Sequence, residues 1–149
     1  MNARGFALPE LMVVAAIAGV LAVLAAPTLV SYARASTLQA GARELATVIN
    51  LGRQIAITQN TAVCVEVAGT NVRLRTGGCG GTMWTGPGTD GAGVIRLSEP
   101  NALRISTTAA VVFTNLGAAV PAGTYTVTHP VSNGTRTVVV AATGRVSVR

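Results

Sequence analysis

The segment from Leu11 to Ala26 contains no polar side chain, and it limits what this chain can be more than any other feature. With the apolar residues Phe6 to Leu8 before it and Leu29 and Val30 after it, the stretch covers about 20 residues, the length that a helix needs to cross a bilayer. Only 11% of all residues are charged, as expected of a chain that lies partly outside water. The segment therefore predicts a membrane-spanning helix.

A cleaved secretory signal peptide is the alternative for this segment. Arg4, an apolar core and a possible cleavage site before Ala26 would suit one. Two features argue against it. Glu10 places a carboxylate at the start of the apolar run, which is unusual in a signal peptide, and the residues after Pro27 continue with a helical pattern.

Two faces repeat at helical spacing beyond Pro27. The apolar face consists of Leu38, Ala42, Leu45, Ile49, Gly52 and Ile55. The polar face consists of Arg43, Thr47, Asn50, Gln54 and Thr58. One helix is therefore predicted from about residue 8 to residue 59, apolar all round in its first half and amphipathic in its second. Pro27 removes one intrahelical hydrogen bond and predicts a bend or a local loosening.

From Thr61 onward the pattern changes to alternating residues and turn signals, which predict about seven or eight strands in one or two antiparallel sheets. A hairpin is predicted across Ala68 to Asn71, and a second is turned at Asn133-Gly134, the strongest short hairpin signal. The predicted strands are Ala62 to Val67, Val72 to Arg75, Val94 to Leu97, Leu103 to Ser106, Val111 to Thr114, Tyr125 to Thr128, Arg136 to Ala142 and Arg145 to Arg149. Strands that follow one long helix indicate an α+β fold.

The N-terminal residues Gly5-Phe6-x-Leu8-x-Glu10, followed by an apolar helix, resemble the class III signal of type IV pilins and of the pseudopilins of type II secretion. The resemblance implies that a prepilin peptidase cuts between Gly5 and Phe6 and methylates Phe6. It departs from the family at Ala7, where Thr or Ser is commoner, and at Pro9, which lies in the first helical turn, where proline is tolerated.

Glu10 then has a physical explanation. A carboxylate in hydrocarbon costs on the order of 2.5–3.5 kcal/mol and is usually functional, with a partner. Cleavage would create an α-amine at Phe6, four residues away in the same helix, with which Glu10 could pair. The resemblance implies that Glu10 pairs with the amine of a neighbouring subunit in a filament. The alternative is a carboxylate that reaches the headgroups and has no further role.

Three C-terminal segments resemble the GspH/FimT branch, the minor pseudopilins of type II secretion and minor pilins of type IV pili. They are Val112 to Gly117, Gly123 to Val127 and Thr143 to Val146. The resemblance implies a pilin-like fold and a structural protein that assembles with other pilin or pseudopilin subunits, at the tip of a filament or in its initiation. Which machine it serves, a type IV pilus or a type II secretion pseudopilus, stays open.

The implied organisation has four parts: a leader (residues 1–5), a transmembrane half of the helix (6–30), an amphipathic half (31–60) and a periplasmic antiparallel β domain (61–149). The chain would cross the bacterial inner membrane once and enter the filament after processing.

The two cysteines, Cys64 and Cys79, are predicted to form a disulfide if the domain is periplasmic, since that compartment is oxidising. The alternative is two reduced thiols. Metal binding needs more ligands than these two, and no cofactor site is predicted. One His, His129, lies before Pro130 and is predicted to be a turn residue. Because no nucleophile, base and orienting group can be assembled, we do not expect an enzyme.

All eleven basic residues are Arg, and the net charge is +6. Arg145 and Arg149 alternate with valines and are expected to share one face of the last strand, ~13 Å apart at ~3.3 Å per residue. Arg136 is expected to join them if the register allows. Arginines in such a pattern most often form a solvent-exposed face of a strand and have no further role. The alternative function is DNA binding in natural transformation, as in FimT-type pilins with a C-terminal Gly-Arg-rich motif, although Ser147 stands where a second arginine would strengthen the match.

Overall fold

A computed structural model describes residues 8–98 and 103–149. The chain divides after Ala35 into two compact units. One α-helix, α1, runs over Leu8–Thr58 and passes through Pro27 without interruption. The long helix predicted from about residue 8 to residue 59 is therefore confirmed.

The first half of α1 is apolar and exposed. Its large apolar side chains, from Leu8 to Val30, are each about half exposed or more. By length and composition, α1 is long and apolar enough to cross a membrane. The second half differs, because nine of its residues are buried in the second unit: Leu38, Gly41, Ala42, Leu45, Val48, Ile49, Gly52, Ile55 and Ala56. The predicted apolar face lies within this set.

Nine strands follow in the part of the chain that the structure describes: β1 Val63–Ala68, β2 Asn71–Thr76, β3 Thr82–Met83, β4 Val94–Arg96, β5 Arg104–Thr107, β6 Val111–Phe113, β7 Gly123–Thr128, β8 Thr135–Val140 and β9 Val146–Val148. Both predicted hairpins are present, β1 with β2 and β7 with β8. One strand, β3, was not expected, because it consists of two residues inside the glycine-rich segment of residues 77–93.

The strands form two antiparallel sheets. Sheet A has five strands in the order β3-β2-β1-β6, with β4 pairing with the same strand, β2, as β3 does. Sheet B has four strands in the order β5-β7-β8-β9. The α+β architecture predicted from the sequence is confirmed, with a long helix followed by antiparallel sheets.

Tyr125 joins the two sheets inside the core. It lies on β7 of sheet B and is fully buried. Its hydroxyl donates to the carbonyl of Val65 on β1 and accepts from the backbone N–H of Val111 on β6, both at 3.4 Å. Burial raises the pKa of this phenol to about 12, while the N–H of Val111 acts weakly in the other direction. The two sheets and the second half of α1 therefore share one apolar core.

Candidate functional site

Glu10 lies in the first turn of α1 and is exposed. A carboxylate there is favoured by the positive end of the helix dipole. Gly5 and Phe6, the residues of the predicted cleavage and methylation, lie outside the described residues. Their roles stay predictions.

The disulfide lies on the outer face of sheet A, which points away from α1. Val63 and Val65 project toward Gly52 of α1, so Cys64 between them projects to the other side of the sheet. There it is bonded to Cys79. The bond fastens the glycine-rich segment after β2 to β1.

Arg75 ties the same segment to sheet A through one of its two contacts. Arg75 on β2 pairs with Glu66 on the adjacent strand, with 2.9 Å between Nε and Oε2. Its Nη1 donates to the carbonyl of Gly81 at 3.1 Å. The outward-facing side chain of Val94 on β4 is also buried. Sheet A therefore buries side chains on both of its faces.

Asp90 closes the segment at its C-terminal end. Its Oδ1 accepts from the backbone N–H groups of Val94 and Ala92, each at 2.9 Å. The hydrogen bond from the N–H of Val94 is the main reason that the pKa of the Asp90 carboxyl is lowered. Desolvation acts in the opposite direction, and the N–H of Ala92 and the guanidinium of Arg96 lower the pKa further. Sequence reasoning missed this residue, although an aspartate ahead of Gly91 is a common turn signal.

The C-terminal end of α1 is where two of the segments that carry the family resemblance meet. Arg53 donates from Nε to the carbonyl of Gly117 at 2.9 Å. Gly117 has φ +81° and Gly144 has φ +78°. A Cβ on Gly144 would clash with the Gly117 carbonyl oxygen. The turn after β6 of sheet A therefore packs against the turn before β9 of sheet B with no side chain between them.

The register of sheet B separates the three arginines considered for DNA binding. Ser147 pairs with Val139, so Arg145 and Arg149 share the outer face of sheet B with them. Arg136 is an odd number of residues from Val139 and projects to the opposite face, where its Nε donates to Oε1 of Gln39 at 3.0 Å. The structure does not bring Arg136 to the other two.

Arg145 and Arg149 are exposed and line a shallow cleft of about 370 Å³. Its remaining lining residues are Val139, Ala141, Ser147 and Val148. An apolar floor between two cations suits an extended anionic ligand with an apolar side.

A second groove, of about 510 Å³, lies between the second half of α1 and the glycine-rich segment. It is lined by Glu44, Thr47, Val48, Asn50, Leu51, Gln54, Pro87, Gly88 and Ile95. The carboxylate of Glu44 accepts from the backbone N–H and the hydroxyl of Ser98, at 3.0 Å and 2.9 Å. The negative charge of Glu44 is therefore stabilised by hydrogen bonds within the protein.

His129 is buried, and its Nδ1 accepts from the backbone N–H groups of Val131 and Ser132 at 3.2 Å and 3.4 Å. The prediction of a turn residue is confirmed. Among residues 8–98 and 103–149, no three His, Cys, Asp or Glu side chains are grouped so that they could hold a metal ion.

Two family models match the sequence. The model described as type II transport protein GspH matches residues 41–144, and the prokaryotic N-terminal methylation motif matches residues 1–26. No curated protein matches the chain significantly.

Solved structures of pilin-like proteins share the fold. The type IV minor pilin FimU of Pseudomonas aeruginosa is 18% identical, with a TM-score of 0.55 over 79% of this chain and 92% of FimU. The minor pseudopilin EpsH from the type 2 secretion system of Vibrio cholerae is 9% identical, with a TM-score of 0.58 over 75% of this chain and 95% of EpsH. GspH of Escherichia coli is 14% identical, with a TM-score of 0.52 over 80% of this chain and 89% of GspH. At these identities the likeness concerns the fold.

Proposed function

We propose, from the premise that this chain belongs to the GspH family of type II transport proteins, that it is a structural subunit of a filament and not a catalyst. It would be processed as a prepilin and would assemble through α1 into a type IV pilus or a type II secretion pseudopilus. Its place would be the tip of the filament or its initiation, and its partners other pilin or pseudopilin subunits.

The observation that carries this proposal is the division of α1. Residues up to Val30 expose large apolar side chains along the helix, while nine residues from Leu38 to Ala56 are buried against the two sheets. A monomer has no use for so much exposed apolar surface in water, so this half needs a bilayer or other apolar helices around it. The inner membrane would supply the first before assembly, and neighbouring subunits the second.

In this proposal Glu10 forms an ion pair that positions neighbouring subunits. In an apolar environment its carboxylate needs a cation, and the methylated amine of a processed Phe6 on a neighbouring subunit would be one. The β domain would then stand in the periplasm, which is also the compartment that keeps a disulfide such as Cys64–Cys79 oxidised.

The first test is the mature N-terminus. The full-length precursor, expressed in a bacterium that contains a prepilin peptidase, should yield an N-terminal peptide that starts with methylated Phe6 in mass spectrometry. A Gly5→Leu variant should stay uncut. A mature chain that starts at Ala26 would instead identify a secretory signal peptide and overturn the proposal.

The second test separates processing from assembly. Glu10→Gln should leave cleavage and membrane retention intact but remove most of the protein from sheared filament preparations. Glu44→Gln is the matched control, because Glu44 is an acid on the same helix whose contacts lie within the β domain. If Glu10→Gln enters filaments as efficiently as Glu44→Gln does, Glu10 has no role in assembly.

DNA capture stays the alternative prediction. It retains Arg145 and Arg149 and no longer includes Arg136, which bonds to Gln39 on the other face. Within the strands of sheet B the one aromatic side chain, Tyr125, is buried, so bases would find no stacking partner there. Any binding would rest on phosphate contacts and fall steeply with salt.

A further inference from the structure

The strand β9 leaves one edge of sheet B free. Its inner edge is bonded to β8: Thr137 and Arg149 exchange two backbone hydrogen bonds of 2.9 Å and 2.8 Å, and Ala141 donates to the carbonyl of Arg145 at 2.9 Å. Because bonding directions alternate along an antiparallel strand, the N–H and C=O groups of Val146 and Val148 point away from β8. In the described part of the chain no strand pairs with that edge.

Side chains beside this edge combine two cations with an apolar floor. Arg145, Ser147 and Arg149 project to the outer face, next to Val139 and Ala141 of the neighbouring chain segment. The two arginines are ~13 Å apart along the strand. Residues on an added strand that lie opposite them would therefore be four positions apart and on one face.

The acidic and arginine side chains in the sequence that forms this edge have one sign of charge. Residues 100–149 include four arginines and no aspartate or glutamate, so no acidic side chain in this part of the sequence can neutralise Arg145 or Arg149. A positive surface next to unused backbone donors and acceptors favours an extended partner that carries negative charge.

We propose that the free edge of β9 binds an extended acidic segment of a different protein, which adds to sheet B as a further strand and places two carboxylates opposite Arg145 and Arg149. The backbone groups of Val146 and Val148 would supply the main-chain hydrogen bonds. The two arginines would select the partner and its register. This interaction does not depend on the filament role proposed above.

A second copy of this chain does not fit the edge. The five acids, Glu10, Glu44, Glu66, Asp90 and Glu99, are nowhere four residues apart, so no segment of this sequence offers the required pair. Pairing of β9 with a second β9 would also set arginines beside arginines. Charged residues commonly protect an edge strand from self-association in this way, and the same charges attract an acidic strand.

Duplex DNA is the less favoured ligand for this edge. It could use the two guanidinium groups, but it has no use for a row of backbone N–H and C=O groups spaced for a β-strand. A peptide uses both. The experiment therefore has to separate the contribution of the backbone from that of charge.

The test uses the full chain in detergent micelles and fluorescence anisotropy of labelled probes. The first probe is a seven-residue peptide of alternating valine and threonine with glutamate at its second and sixth positions. A second has glutamine at those positions. A third keeps both glutamates but is N-methylated at the third and fifth residues, which face the edge. The fourth is a 20-base-pair duplex.

The glutamate peptide should bind, and the glutamine peptide about tenfold more weakly, as expected for two exposed ion pairs. The double variant Arg145→Gln, Arg149→Gln should lose a similar factor, whereas Arg104→Gln, an exposed arginine on the opposite edge strand of the sheet, should change nothing. The N-methylated peptide should not bind measurably.

Equal binding of the N-methylated and unmodified glutamate peptides would show contact through charge alone and overturn strand addition. Absence of binding by the glutamate peptide would overturn the proposal as well. Duplex binding that depends on both arginines, without peptide binding, would assign the edge to DNA. None of these outcomes involves filament formation, so the filament role can fail or stand separately.

Discussion

The two sheets are similar in size but differ in what covers them. Sheet A is packed on one face against α1, and on the other the Cys64–Cys79 disulfide attaches the glycine-rich segment. Sheet B buries one face in the same core and leaves the other partly open to solvent. Sheet A therefore buries side chains on both faces, although Glu66 and Arg75 stay partly exposed, whereas sheet B offers an open face and an edge for contact.

The outer-face residues follow this difference. On sheet A they include Cys64, which is bonded to Cys79, Glu66, which pairs with Arg75 beside it, and the buried Val94. On sheet B they are mainly hydroxyl side chains, such as Thr126 on β7 and Thr137 on β8, which are paired side by side and half exposed. Hydroxyls suit a surface that stays wet, and valine and cystine suit one that is covered.

The largest effect is expected where the two sheets meet at the end of α1. Gly144→Ala should lower the free energy of unfolding by about 3 kcal/mol or more, because the new methyl group would meet the Gly117 carbonyl and the residue would keep a positive φ. Gly69→Ala is the control, since Gly69 has φ +67° and open space around it. It should lose about 1 kcal/mol. Denaturant unfolding in micelles measures both, and equal losses would mean that the close packing at Gly144 has no energetic weight.

Removal of the disulfide should loosen sheet A more than sheet B. The double variant Cys64→Ser, Cys79→Ser should lose about 3 kcal/mol, the value expected for a loop of 15 residues. Hydrogen exchange should then speed up at residues 77–93 and along β1 and β2. Amides of β7 and β8 should keep their relative protection. Loss of protection spread evenly over both sheets would contradict the separation drawn between them.

Alkaline pH should loosen the joint between the sheets at Tyr125. A phenol whose pKa is raised by folding stabilises the fold fully below its unfolded pKa of about 10, and this stabilisation is lost as pH rises toward the folded value of about 12. Stability should fall by roughly 2 kcal/mol across that window. Tyr125→Phe should start about 1 kcal/mol lower, because its hydrogen bonds are gone, and should lack this alkaline decrease. A Phe variant that falls as steeply would place the titrating group elsewhere.

The smallest effects should come from exchanging valine and threonine on the two outer faces. Val94→Thr places a hydroxyl at a buried position on the outer face of sheet A and should cost about 1 kcal/mol. Thr126→Val on the open face should stay within about 0.5 kcal/mol of the parent. Thermal unfolding of the two variants compares them directly. A larger loss for Thr126→Val would mean that the outer face of sheet B is covered in solution.

Local patterns in the sequence were sufficient for much of this fold. The helical spacing from Leu38 to Ile55 predicted the buried face of α1, and Asn133-Gly134 marked the turn of the second hairpin, where Asn133 has φ +52°. Alternation located most strands to within one or two residues, because one side of each faces the core. The pairing of Cys64 with Cys79 needed only the choice of two cysteines.

Features set by the third dimension could not be predicted. The face occupied by Arg136 depends on the register of β8 with β9, and a shift of one residue would reverse it. The hydrogen bond between Arg53 and Gly117 joins residues 64 positions apart, and no local sequence pattern predicts it. The strand β3 is held by pairing with Arg75 and Thr76, since two residues have too little pattern of their own.

The absence of acidic residues after Glu99 has a consequence for the conditions under which the free edge can act. This region has no carboxylate side chain that could gain a proton, and arginines stay protonated in proteins. Its arginines therefore keep their positive charge when the surroundings turn acidic. Ionic strength does change its reach, since the screening length falls from about 30 Å at 0.01 M to about 8 Å at physiological salt. The pH response of a contact made here would therefore come from the partner's carboxylates, which lose their charge on acidification, and high salt would weaken the contact.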